Sequence, residues 1–311
     1  MTTQSMPEKL RIIFMGTPEF AVPSLRSLVE SNSNVIAVIT VPDKPAGRGQ
    51  KQMSSPVKIY AEEQGIPVLQ PEKLKNPEFI AQLKALNADL QVVVAFRMLP
   101  EIVWSMPKYG TFNLHGSLLP QYRGAAPINW AVINGETESG VTTFFIEKEI
   151  DTGKIIFQER DPIAPEDDAG SVYERLMEIG GKLVVKTVQA IEEGNYPQEA
   201  QDESKEIKMA PKIFRETCEI DWNQPAEKIH NFVRGLSPYP AAWTILNGLS
   251  CKIFKTSITE DSSAGEPGEF RTDNKTSLQF RAGDFWLTVE VLQLEGKKKM
   301  VVGDFLRGAK L

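Results

Sequence analysis

Over its first two thirds the chain alternates short apolar runs with segments of helical periodicity, and then its texture changes. "LRIIFM" (10–15), "VIAVIT" (35–40) and "LQVVVAF" (90–96) are rich in β-branched residues, as suits strands buried on both faces. Between them, "SSPVKIYAEEQG" offers a serine N-cap, proline at the first helical position and a glycine stop, and so predicts a helix. A longer helix is expected from Ser171 to Glu193, because Val172, Leu176, Ile179, Leu183, Val184, Val188 and Ile191 recur at helical spacing. Ser171 and Glu174 have the spacing of a capping box at its start.

Strands alternating with helices predict an α/β domain with a Rossmann-like open, largely parallel sheet. After the polar stretch "EEGNYPQEAQDESKE", the runs "CKIFKTSI", "SLQFRAG" and "DFWLTVEVLQLEG" predict short strands of an all-β domain, a small barrel of the oligonucleotide-binding type. The expected division is a first domain over 1–189, a linker over 190–210 and a C-terminal β-barrel over 211–311.

Composition narrows the setting. With 41% hydrophobic and 24% charged residues, the chain has the makeup of a globular protein. Cys218 and Cys251 show no C-x-x-C spacing, which points away from a disulfide framework or zinc site and towards a reducing compartment. "MTTQSMPEKL" has no apolar signal region and the longest apolar run is too short to span a bilayer, so a cytoplasmic location is expected. The net charge of −6 argues against a general affinity for nucleic acid. The deficit sits early, however: basic and acidic residues number 21 and 28 up to residue 210 but 14 and 13 beyond it.

Among candidate motifs, "IIFMGTPEF" opens like a nucleotide fold but has only Gly16 where a dinucleotide site needs three glycines, so a nicotinamide oxidoreductase is a poor third option and Gly16 reads as a turn after the first strand. In "FNLHGSLLPQYRGAAP", Asn113 and His115 are separated by one residue, which on a strand places both side chains on one face. An amide donor beside an imidazole suits a reaction that builds negative charge on a carbonyl oxygen and moves a proton. Asp151, in D-T-G, is placed to orient or charge-tune an imidazole if the two strand ends meet. On residues alone the alternatives stay open: a strand-end histidine also completes structural networks, Asp-x-Gly is ordinary turn chemistry, and His230 reads as a structural residue on a helix.

"NLHGSLLPQYRGAAPINWAVINGE" followed by "GVTTFFIEKEIDTGKI" resembles the signature of the folate-dependent formyltransferases, and the likeness extends to "IIFMGTPEFAVPSL", "VPDKPAGRGQKQMSSPVK" and "IDWNQPAEKIHNFVRGLSPYPAAW". The resemblance implies a formyl donor, 10-formyltetrahydrofolate, and an acceptor, the α-amino group of methionine esterified to initiator tRNA, with no metal and a monomeric enzyme. It implies catalytic roles for Asn113, His115 and Asp151, and a folate site lined by Ser117, Leu118, Leu119 and Pro120. It also implies a tRNA-gripping loop over 42–56 with Lys44, Arg48 and Lys51, supported by a C-terminal barrel carrying "GKKKM" (296–300). Arg97 and Met98 stand where many members of the family have small turn residues near the pterin. The same catalytic trio would serve a relative that formylates a sugar or purine amine; the basic loop and the second domain favour RNA. A non-catalytic RNA-binding protein would leave that trio without a purpose.

Overall fold

The structure is a computed structural model that describes residues 9–46 and 51–308. The chain forms two compact units, one of residues 1–123, 140–161 and 174–208, the other of 124–139, 162–173 and 209–311.

In the first unit, strands β1 (Ile12–Gly16), β2 (Val35–Ile39), β5 (Val68–Leu69), β6 (Leu90–Val94) and β7 (Thr111–His115) run parallel. A small antiparallel hairpin of β3 (Lys44–Ala46) and β4 (Lys51–Met53) lies between β2 and β5 in sequence. After the two-residue β8 (Arg123–Gly124), β9 (Glu138–Phe145) returns antiparallel to β7, and β10 (Ile155–Pro162) lies outside it. The sheet order β10-β9-β7-β6-β1-β2-β5 bears out the open, largely parallel sheet. β1 and β6 are buried at every residue, as their unbroken apolar runs require. The strand order reverses between them, which places a crevice at their carboxyl ends. Gly16 ends β1 there, and a Cβ on it would lie 2.7 Å from Ala21 Cβ and 3.0 Å from the Val94 carbonyl oxygen, so close packing explains this glycine.

Helices α1 (Val22–Glu30), α2 (Pro56–Glu63), α3 (Pro77–Ala85), α4 (Glu101–Trp104), α5 (Pro127–Ile133) and α6 (Ala169–Glu192) occur in that order. α2 begins as expected, with Ser55 Oγ accepting from Lys58 N and proline at the first helical position. α6 starts earlier than Ser171, and the expected Ser171–Glu174 box is replaced by one a turn back. Asp168 Oδ1 accepts from Ser171 N at 2.9 Å, while Asp168 N donates to Ser171 Oγ at 3.1 Å. Aspartate is as strong a cap as serine, and its position admits Ala169 and Gly170 into the helix. Farther along α6, a Cβ at Gly180 would lie 2.6 Å from Leu114, and one at Gly181 2.9 Å from the Pro23 carbonyl oxygen. At Gly180 the absent side chain lets the helix press on β7, on the face opposite Asn113 and His115, and at Gly181 it lets the helix close on α1.

The second unit continues with β11 (Met209–Ala210), α7 (Ala226–Leu236), β12 (Ala242–Leu246), β13 (Leu249–Ile258), β14 (Phe270–Thr272), β15 (Leu278–Arg281), β16 (Trp286–Leu294), β17 (Met300–Val301) and α8 (Val302–Gly308). β12 to β17 make an antiparallel sheet, order β12-β13-β16-β15-β14 with β17 on β16, curled as a half-barrel; this bears out the all-β expectation. Ala226, Ile229, Val233 and Leu236 of α7 fill it, and Trp222 stacks on Phe280 with centroids 4.6 Å apart.

Candidate active site

β7 is where sequence and geometry agree most directly. Asn113 and His115 share its face, and β9 sets His115 opposite Thr142 and Asn113 opposite Phe144. Phe144 meets the imidazole edge-on, at 6.4 Å between centroids. His115 is buried and Asn113 half-buried. His115 Nε2 lies 2.8 Å from the Tyr122 carbonyl oxygen. A carbonyl only accepts, so Nε2 carries the proton, and the neutral ring keeps its basic lone pair on Nδ1. Asp151 Oδ2 sits 3.9 Å from that Nδ1, with the carboxylate largely enclosed. The structure thus brings Asn113, His115 and Asp151 together. The contact is too long for a direct hydrogen bond, and it sets the carboxylate on the Nδ1 side of the ring.

The segment after His115 is held from β9 and β10. Thr142 Oγ1 donates to the Ser117 carbonyl (2.7 Å) and accepts from Leu119 N (3.1 Å) and Gln158 Nε2 (2.9 Å). Gln158 Nε2 also donates to the Leu119 carbonyl at 2.9 Å. Ser117 and Leu119 are buried, and the Ser117 hydroxyl is spent on the Gln121 carbonyl at 2.6 Å. Leu118 and Pro120 remain half-buried, so they are the side chains of "SLLP" that offer surface. Leu118 packs over Gly140, where a Cβ would come within 2.6 Å of it.

Asp151 itself adopts φ of 58°, a left-handed conformation that, glycine aside, asparagine, aspartate and histidine adopt more often than other residues. Two residues on, a Cβ at Gly153 would collide with the Phe145 carbonyl oxygen at 1.7 Å, which is why D-T-G must end in glycine. Gln201 Nε2 donates to the main-chain carbonyls of Asp151 (2.8 Å) and Gly153 (2.9 Å), holding both ends of this turn.

Lys44 is exposed on β3 and Lys51 lies on β4; Arg48 lies outside the described residues. The base of that hairpin is firm. Lys58 Nζ meets Asp43 Oδ2 at 2.6 Å, Gln70 Nε2 donates to Asp43 Oδ1, and the Thr40 and Ser55 hydroxyls pair at 2.8 Å. Arg97 turns its guanidinium onto the carbonyls of Pro71 and Glu72 and over the Phe96 ring, and burial lowers its pKa. Met98 is 74% exposed. His230, half-buried on α7, bonds Thr256 Oγ1 at 3.0 Å, with its pKa lowered chiefly by burial, in keeping with a structural residue. In "GKKKM", Lys299 lies over the Phe254 ring at 4.2 Å.

The partners that sequence reading missed are Tyr122, Thr142, Gln158 and Gln201. Tyr122 acts through a carbonyl that every residue type has. Thr142 and Gln158 lie on strands whose pattern marks only burial, and Gln201 lies in a stretch whose polarity signals a linker.

Residues 9–188 match the family described as formyl transferase, and residues 212–310 match that described as formyl transferase, C-terminal domain. The chain belongs to the formyl transferase family. Among its relatives in that family, a methionyl-tRNA formyltransferase of Bacteroides fragilis is 55% identical over 309 residues, covering 97% of this chain and 95% of the relative. Proteins of the same name from Phocaeicola vulgatus and Porphyromonas gingivalis are 57% and 48% identical, each over 95% or more of both chains. Two solved structures share the fold. WlaRD, a sugar 3N-formyl transferase studied with dTDP and 5-N-formyl-THF, superposes with a TM-score of 0.68 at 22% identity, covering 94% of this chain and all of that one. HypX from Aquifex aeolicus in complex with tetrahydrofolic acid gives 0.63 at 21%, over 97% of this chain and 48% of its own.

Proposed function

We infer that this formyl transferase moves the formyl group of 10-formyltetrahydrofolate to the α-amino group of methionine on initiator tRNA, for the start of protein synthesis. The observation that carries the reading is the end-to-end identity of about half with relatives named for methionyl-tRNA. The basic hairpin and the half-barrel of the second unit, which suit a large RNA acceptor, support it.

The chemistry rests on the side chains. An α-amino group titrates near ~7.7, so much of it is already neutral at neutral pH and a strong base is unnecessary. As the amine attacks the formyl carbon, Asn113 donates to the oxygen on which charge accumulates. His115 accepts the amine's proton on Nδ1, the nitrogen that the Tyr122 carbonyl leaves unprotonated, and Asp151 steadies the imidazolium. The same proton then passes to the folate nitrogen as its bond to the formyl carbon breaks, so the ring returns to neutral. Acid–base help of this kind contributes about 10²- to 10⁴-fold. Leu118 and Pro120 give apolar surface beside the histidine, and the main chain of Ser117 to Pro120 lines the folate; a flat, partly apolar donor fits that lining. Lys44, Arg48 and Lys51 grip tRNA phosphates. Residues 1–189 form the catalytic part and 211–311 the tRNA-supporting part. The enzyme works as a monomer in the cytoplasm, and among the described residues no helix is long and apolar enough to cross a membrane.

The test is to supply purified protein with the formyl-folate and charged initiator tRNA. Formylmethionyl-tRNA is the expected product. A protein inert on that substrate but active on an amino-sugar nucleotide would overturn the assignment.

A further inference from the structure

The polar stretch between the two matched segments is bonded to the candidate site at both of its loops. Gln201 is central to it. Its Oε1 accepts from Arg123 Nε (3.1 Å) and Nη2 (2.7 Å), and its Nε2 donates to the carbonyls of Asp151 and Gly153. An arginine can only donate and a carbonyl can only accept, so the amide has one orientation and both its ends are fully used. Arg123, with a side chain only 10% exposed, also donates from Nη2 to Glu203 at 2.7 Å.

The strap continues past Gln201. Gln121 Nε2 donates to the Glu206 carbonyl at 3.1 Å, Lys208 N donates to Gln121 Oε1 at 2.9 Å, and Tyr122 N donates to the Lys208 carbonyl at 2.6 Å. Residues 201–208 therefore grip the D-T-G turn at one end, and at the other the residue whose carbonyl fixes the His115 tautomer. Asp151 holds a left-handed backbone, and its carboxylate is useful only where it faces Nδ1.

We propose that Gln201 is a positioning residue for the formyl transfer: anchored by Arg123, it pins the Asp151–Gly153 turn so that the Asp151 carboxylate stays beside His115. The proposal rests on the reading in which Asp151 assists His115. Gln201 touches no reacting atom, and acts through that turn alone.

A double-mutant cycle tests this. Gln201→Glu keeps the size and both Arg123 bonds but turns a carboxylate towards two carbonyls. It is expected to lower kcat about tenfold, with KM for folate and for tRNA within about twofold. In an Asp151→Asn background the same change is expected to cost less than about twofold, since the group it positions is already impaired. Equal losses in both backgrounds, or a rise in KM matching the fall in kcat, would overturn the proposal by showing a general structural role. Gln201→Ala, taken through the same cycle alongside thermal melting, decides the matter if Gln201→Glu does not fold. Asp151→Asn alone with unchanged kcat would instead sink the reading of Asp151, which keeps the two failures apart.

Discussion

At the scale of the residue, the site turns on which nitrogen of His115 is free. The Tyr122 carbonyl takes Nε2 out of play, and the Asp151 carboxylate lies on the side of Nδ1. On the proposed reading, replacing His115 with alanine removes the proton acceptor, and replacing Asn113 removes the donor to the developing oxyanion. Each is expected to lower kcat by roughly 10² or more while tRNA affinity, measured by filter binding, barely moves. Comparable losses of binding would make these residues structural. The pair itself is legible in the sequence, because a strand's period of two forces residues i and i+2 onto one face. The tautomer is not, because it depends on a main-chain oxygen seven positions away brought back by a turn.

At the scale of the element, β9 does more than extend the sheet. Thr142, fully buried at its centre, holds the Ser117–Pro120 segment through two hydrogen bonds and is itself bonded by Gln158. Thr142→Val preserves the shape and leaves the Leu119 N–H and the Ser117 carbonyl without that partner. A loss of about 1–3 kcal/mol per buried group left unmade is expected. Thermal melting should show it, and the KM for folate should rise while that for tRNA stays put. An unchanged melting temperature would mean the segment is held by its own turn. In α6 the apolar stripe is readable from sequence, and Val172, Leu176, Leu183, Val184, Val188 and Ile191 are all buried. Its cap lies one turn from the expected place, since serine and aspartate compete for the same role and only the path of the preceding chain chooses between them.

At the scale of the molecule, a chain of net charge −6 must bind a polyanion through local positive charge. The β3–β4 hairpin suits this: the sequence joining its strands is polar and basic, and its base is clamped by Asp43, Lys58 and Gln70. Arg48→Ala is expected to raise KM for tRNA and to make the slope of log affinity against log salt shallower by roughly 1, with kcat at saturating tRNA nearly unchanged. A salt slope identical to that of the unaltered protein would return the hairpin to a solvated surface loop.

The sequence by itself determined the period of each element: the buried parallel strands, the long amphipathic helix, the shared face of Asn113 and His115, and a glycine in D-T-G. These are local properties, set by side chains within a few positions of one another. Only the tertiary structure decided which carbonyl claims His115, which strand holds "SLLP", and that a glutamine fifty positions beyond Asp151 secures its turn. Such contacts join backbone groups that carry no residue-specific signal, across separations at which no periodicity survives. The chain must already be folded for them to exist.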